Sequence, residues 1–162
     1  MIQLKSKREL EKMREAGRHV GEILQRLGEL AKPGVTTAEL DRVAHAEIRA
    51  RKLESSFLGY APGDNPPFPA VICASVNEEI VHGIPGGRRL VEGDLLKIDF
   101  GAICDGFHAD AAITVPIGEV DGESRRLVST TLSSLYAGVE QMAPGKRLGD
   151  VGAAVQETVE RE

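Results

Sequence analysis

The chain has 162 residues, 41% of them hydrophobic and 28% charged, which suits one ordinary domain with a core and gives no sign of disorder. A formal net charge of −5, with basic residues scattered along the chain instead of forming a stripe, argues against nucleic acid or an anionic membrane as the main partner. Two cysteines, Cys73 and Cys104, are too few for a disulfide framework, no run reaches the roughly 20 apolar residues of a membrane span, and the opening MIQLKSKRELEKMREAG has no apolar signal core, so the expected setting is the cytoplasm.

Residues 6 to 31 read as an amphipathic helix whose apolar face is Leu10, Met13, Ala16, Val20, Ile23, Leu24, Leu27 and Leu30. Ser6 with Glu9 forms a capping-box signature, and Lys32-Pro33-Gly34 ends the helix. Thr36 or Thr37 caps a second helix with Leu40, Val43, Ala44, Ile48 and Leu53 on one face. From Phe57 to Pro69 the chain carries four prolines and a Gly-Asp-Asn turn, so it reads as a loop with two exposed aromatics, Tyr60 and Phe68. A short strand at 71 to 76, the segment NEEIVHGIP with a turn at Gly86-Gly87, and a hairpin from about 94 to 116 follow.

A third helix runs from Glu123 to Met142 and a fourth from Leu148 onward, which repeats the opening order at a distance of 111 residues. Pro33-Gly34 falls on Pro144-Gly145, Glu39-Leu40 on Asp150-Val151, Val43-Ala44 on Ala154-Val155 and Ile48 on Val159. The chain is therefore divided into a first pseudo-repeat, 1–121, and the start of a second, 122–162, within one incomplete domain. The expectation that follows is a fragment of a duplicated fold or one piece of a two-chain assembly.

Asp99 and Asp110 lie eleven apart in LLKIDFGAICDGFHADAAITV, on what are otherwise two apolar strands. Aspartate is depleted in strand interiors and an unpaired buried charge is costly, so the pair calls for a partner, and a divalent cation is the simplest. A turn at Cys104-Asp105 sets the two aspartates directly opposite each other. A turn at Asp105-Gly106, the better turn chemistry, pairs Asp99 with Ala112 and makes Asp110 its diagonal neighbour on the same face. Either register leaves the carboxylates within reach of a shared ion. Leu96, Ile98 and Phe100, with Ala111, Ile113 and Val115, bury the opposite face. The alternative is a pair of edge aspartates pointing into water.

His82 sits where Gly83 and Pro85 constrain the backbone, so its imidazole is held in place and can donate to a carbonyl or developing oxyanion. His108, two residues before Asp110, is an additional ligand or supporting group by the same strand periodicity, or else a half-exposed histidine near a turn. GIPGG lacks the lysine and hydroxyl of a phosphate-binding loop, and neither GxGxxG before a helix nor GxSxG occurs. A cysteine nucleophile built from Cys73 or Cys104 with His82 has no flanking signature to support it.

VNEEIVHGIP followed by GDLLKIDFGAICDGFHADAAITV closely resembles type I methionine aminopeptidase, and the resemblance extends over essentially the whole chain, including the opening helices and the LGY loop. It implies an α+β pita-bread fold, an antiparallel sheet covered by helices, here the first half plus the opening helices of the second half. It further implies two divalent metal ions, cobalt, manganese, iron or zinc, with a water or hydroxide between them that attacks the carbonyl after an N-terminal methionine. By motif position Asp99 and Asp110 resemble metal ligands, the second of them bridging, and His82 resembles the histidine that contacts the substrate backbone. Tyr60, Phe68 and Cys73, with Phe57, fall where the family lines its methionine pocket. The loop between Tyr60 and Phe68 is longer than in the most familiar members.

The family also needs a histidine of an HGIG motif and two glutamates as ligands, together with a second histidine near the scissile bond, and none of these has a counterpart here. With two of five ligands, the isolated chain is expected to bind metal weakly and to be inactive until a complementing C-terminal half is supplied. The implied partners are N-terminal methionine peptides of nascent proteins, with ribosome association left open and no nucleic acid or membrane. Two other readings compete: a proline-specific peptidase of the same fold, which the HGIP motif disfavours, and a non-catalytic pita-bread protein that binds a partner or nascent peptide.

Overall fold

Two helices open the chain, and each starts on a hydroxyl paired with a glutamate three residues on. In the computed structural model, which describes residues 3–161, Ser6 accepts from the Glu9 N–H at 3.3 Å while the Glu9 carboxylate accepts from the Ser6 N–H at 2.7 Å. The helix α1 then runs Lys7–Leu30. Thr36 and Glu39 repeat the arrangement at the head of α2, Thr37–Ala50, so two orphan donors are satisfied at each start. With Thr36 as the cap, the Thr37 hydroxyl is left to accept from the Gly86 N–H at 2.9 Å.

Within the unit Met1–Glu119, helix α1 packs against an antiparallel sheet of four strands, β1 (Glu54–Ser55), β2 (Ile72–Val76), β3 (Leu95–Cys104) and β4 (Phe107–Pro116). One edge of β3 pairs along its length with β4, and the other with β1 and β2 in turn. Leu96, Ile98 and Phe100 stand opposite Val76, Ala74 and Ile72, and all six are buried. From the helix side Ala16, Val20, Ile23, Leu24 and Leu27 close this core, joined by Leu40, Ala44 and Ile48 of α2.

Two expectations need correction. Leu10, Met13 and Leu30 are exposed, while Ala16, Val20, Ile23, Leu24 and Leu27 form the buried face of α1. Ala111 is also exposed, with Ile113 and Val115 half-buried, since β4 is the outer strand and is covered only in part. Gly28 of α1 crosses that strand closely: a Cβ there would lie 3.2 Å from Ile113 Cδ1.

Glu47 is the one buried acid of α2, and two arginines offset its charge: Arg26 of α1 at 2.7 Å and Arg51 at 3.0 Å. The second unit, Val120–Glu162, contains the helical hairpin α3 (Gly122–Glu140) and α4 (Leu148–Glu160). Asp121 caps α3 by accepting from the Ser124 N–H at 2.7 Å. At Gly138 the two helices approach so closely that a Cβ would lie 2.8 Å from Val155 Cγ2. Among the described residues no helix is long and apolar enough to cross a membrane.

Phe100 fills the centre of the first unit with no exposure. Phe100→Ala is expected to destabilise the fold by about 3–5 kcal/mol through lost burial and the cavity left behind, read as a lower urea midpoint at unchanged slope.

Candidate functional site

The face of the sheet opposite the core is polar, and the hairpin turn decides which residues meet there. Asp105 and Gly106 both have positive φ, 50° and 79°, and form the two-residue turn between Cys104 and Phe107. Asp99 therefore pairs with Ala112 and Asp110 with Gly101, the diagonal register of the two considered. On its other side Asp99 stands opposite Cys73 of β2. The Asp41 carboxylate accepts from the N–H groups of Val71 and Ile72, at 2.9 and 3.2 Å, and so anchors the start of β2 on helix α2.

Asp99 Oδ1 is buried and has no hydrogen-bond partner. Burial is the largest cause raising the Asp99 carboxyl above the usual aspartate range, and the nearby Asp110 charge raises it further, while His82 acts in the opposite sense. The same environment pushes the Cys73 thiol up to about 11, by burial first and then by Asp99 and Asp110. A neutral thiol at pH 7 does not serve as a nucleophile, so Cys73 is a wall of the site. Two carboxylates on one face, one with an unpartnered buried oxygen, are a donor set suited to a divalent cation. Among the described residues no group of three His, Cys, Asp or Glu side chains converges as a metal ligand set.

His82 adopts the left-handed conformation, φ 61°, which costs a non-glycine residue about 1–3 kcal/mol and persists only where its surroundings impose it. They do so through Gly83. Its carbonyl accepts from the Ala74 N–H at 2.9 Å, its N–H donates to the Ser75 hydroxyl at 3.0 Å, and a Cβ added there would lie 2.4 Å from the Ala74 carbonyl oxygen. Only glycine fits that approach, and it stitches the histidine segment onto β2. The neighbouring Gly86 is held by the N-terminus of α2, so GIPGG serves as a backbone tether.

Phe57 and Phe68 meet edge to face, with ring centroids 6.4 Å apart and planes at 89°. Phe68 is half-buried by this contact, contrary to the expectation of a fully exposed ring, whereas Tyr60 is exposed. All seven residues singled out from sequence, Phe57, Tyr60, Phe68, Cys73, His82, Asp99 and Asp110, line one cleft of about 710 Å³. His108 lines it as well, with Nδ1 3.0 Å from the Ser56 hydroxyl.

Gly101 is the residue that sequence reasoning missed. A Cβ there would lie 2.8 Å from Asp110 Oδ2, 2.9 Å from Phe57 Cε1 and 3.0 Å from Ser56 Cβ, so its missing side chain makes room for a carboxylate and a pocket aromatic at once. The available signal was a glycine inside a strand, which marks close approach of neighbouring groups.

Two outcomes follow from this geometry. In chelator, Asp99→Asn is expected to raise Tm at pH 7. A carboxyl whose folded pKa is raised contributes stability at low pH that is lost as pH rises through the folded value, so the advantage of the neutral amide should vanish below the ordinary aspartate range. Gly101→Ala is expected to cost about 1–3 kcal/mol by overpacking. The double variant with Phe57→Ala should be less destabilised than the sum of the two single changes, a coupling that denaturant titrations of the full cycle measure.

Comparison with known proteins gives a match to metallopeptidase family M24 over residues 11–162. A methionine aminopeptidase of Clostridium acetobutylicum is 47% identical over 161 residues, 99% of this chain and 62% of that protein. One from Aquifex aeolicus is 43% identical, over 99% of this chain and 63% of its own length. The crystal structure of methionine aminopeptidase from Rickettsia prowazekii superposes with a TM-score of 0.94 at 34% identity, over 99% of this chain and 63% of that one. The chain thus spans a little under two thirds of the length of these relatives. With so continuous a match in sequence and structure, the chain belongs to metallopeptidase family M24 and has the pita-bread architecture of that family.

Proposed function

We propose that the protein carrying this chain removes the N-terminal methionine from peptides and nascent proteins. The observation that carries this reading is the convergence, in one cleft, of two carboxylates on a shared face with a buried thiol, an imidazole and three aromatics. The relatives named methionine aminopeptidase support the choice of substrate.

In this reading Asp99 and Asp110 would hold the divalent metal, and the unpartnered Asp99 Oδ1 is the group that gains most from a cation. Two ions of cobalt, manganese, iron or zinc would, when bound, supply Lewis-acid polarisation and a water of lowered pKa. His82, held by Gly83 on β2, orients the peptide by donating to its carbonyl. Phe57, Tyr60 and Phe68, with the neutral thiol of Cys73, form the apolar surface for the methionine side chain. A further histidine and two glutamates from a complementing C-terminal half would complete the ligand set. The proposed setting is the cytoplasm, where initiator methionine is exposed on nascent chains, with ribosome association compatible with that substrate.

We also read the two helical hairpins as an internal duplication at 111 residues. The matching turns support it: Val35 N–H donates to Lys32 and Lys146 N–H to Ala143, both at 3.1 Å. The Thr36 N–H meets the Glu39 carboxylate at 2.7 Å, and the Arg147 N–H meets that of Asp150 at 2.8 Å. Gly34 and Gly145 share positive φ, 92° and 87°.

The test is methionine release from the peptide Met-Ala-Ser by the purified protein carrying this chain together with its complementing C-terminal half, with manganese or cobalt and against a chelator control. Metal-dependent release that falls more than about 100-fold in Asp99→Ala, beyond the loss typical of removing an outer-shell partner, is the expected result. Release that survives Asp99→Ala, or chelation, overturns the assignment.

A further inference from the structure

Between Tyr60 and Phe68 the chain makes an excursion that the methionine reading does not use. Its base is closed by two backbone hydrogen bonds, Gly59 N–H to the Phe68 carbonyl at 2.8 Å and Phe68 N–H to the Tyr60 carbonyl at 2.9 Å. Inside it, the Asn65 amide Nδ2 donates to the Pro62 carbonyl at 2.9 Å, and Pro62, Pro66 and Pro67 fix three φ angles. Seven residues held in this way have little conformational freedom left to lose when something binds.

The loop also faces the right way. Pro62, Asn65, Pro66 and Pro67 line the same cleft as Asp99 and His82, and all four are exposed. They present three pyrrolidine faces and an amide whose donor is already engaged on Pro62, leaving its oxygen to accept from a peptide N–H. A cleft of about 710 Å³ lies well inside the range of roughly 300–1,000 Å³ that holds a ligand larger than one side chain. If methionine sits against Phe57, Tyr60 and Phe68, the chain that leaves it must run past this wall.

We propose that the loop 61–67 is a specificity element that binds the residues following the N-terminal methionine, packing their apolar side chains on its prolines and accepting a backbone N–H at Asn65. The proposal rests on the aminopeptidase reading above and adds to it a subsite outside the methionine pocket. A rigid outer wall contributes binding to the peptide without touching the reacting bond, so it acts on KM and leaves kcat alone.

The experiment compares the metal-loaded protein with a variant whose residues 61–67 are replaced by Gly-Gly, and with Asn65→Ala and Pro66→Ala in case the replacement unfolds. The substrates are the peptide Met-Ala-Ser-Phe and methionine amide, whose leaving group is ammonia, so that nothing follows the scissile bond. The expected result is a rise of about tenfold in KM for the peptide at unchanged kcat, roughly 1.4 kcal/mol, with amide hydrolysis within about twofold of the unaltered protein. Equal losses on peptide and amide, or no change in peptide KM, overturn the loop's role. Absence of methionine release from either substrate by the unaltered protein carrying its complementing C-terminal half overturns the aminopeptidase reading itself, and the loop proposal with it.

Discussion

The alternation of strand β3 is the constraint on which the rest of this molecule depends. Leu96, Ile98 and Phe100 are out of water entirely, packed against β2 on one side and covered by α1. Because side chains on a strand alternate with period two, burying those three commits Lys97, Asp99 and Gly101 to the other face, and a slip of one residue would exchange core for site. The apolar packing that holds the domain together is therefore also what points a carboxylate into the cleft. The site is rigid for the same reason that the core is.

That arrangement has a thermodynamic cost. Asp99 is held beside Asp110 and Cys73 with one oxygen buried and unpartnered, a position no stability criterion would choose for an acid. His82 is held in a left-handed conformation by the close seating of Gly83 on β2. Both unfavourable features lie in the one cleft and face each other. A strained histidine and an orphaned carboxylate oxygen lining one cleft are what a functional site is expected to show.

Much of this was legible along the chain. The capping pairs Ser6/Glu9 and Thr36/Glu39, the helix periods, the Asp105-Gly106 turn and the two aspartates are short-range signals, each set by residues within a few positions of one another. All seven candidate residues proved to line one cleft. What escaped notice involved partners far apart in sequence. Gly101 matters because of Ser56, Phe57 and Asp110, and the half-burial of Phe68 comes from the ring of Phe57 eleven residues before it. The extent to which α1 and β4 are covered depends on tertiary packing, which no periodicity reports.

The sequence by itself determined the four helices, the hairpin with its turn and the carboxylate pair, because propensity, capping and period two act between near neighbours. Only the tertiary structure decided the strained seat of His82 and the room that Gly101 leaves. Those depend on contacts under 4 Å between segments separated by up to about fifty residues, and such contacts exist only after the chain has folded.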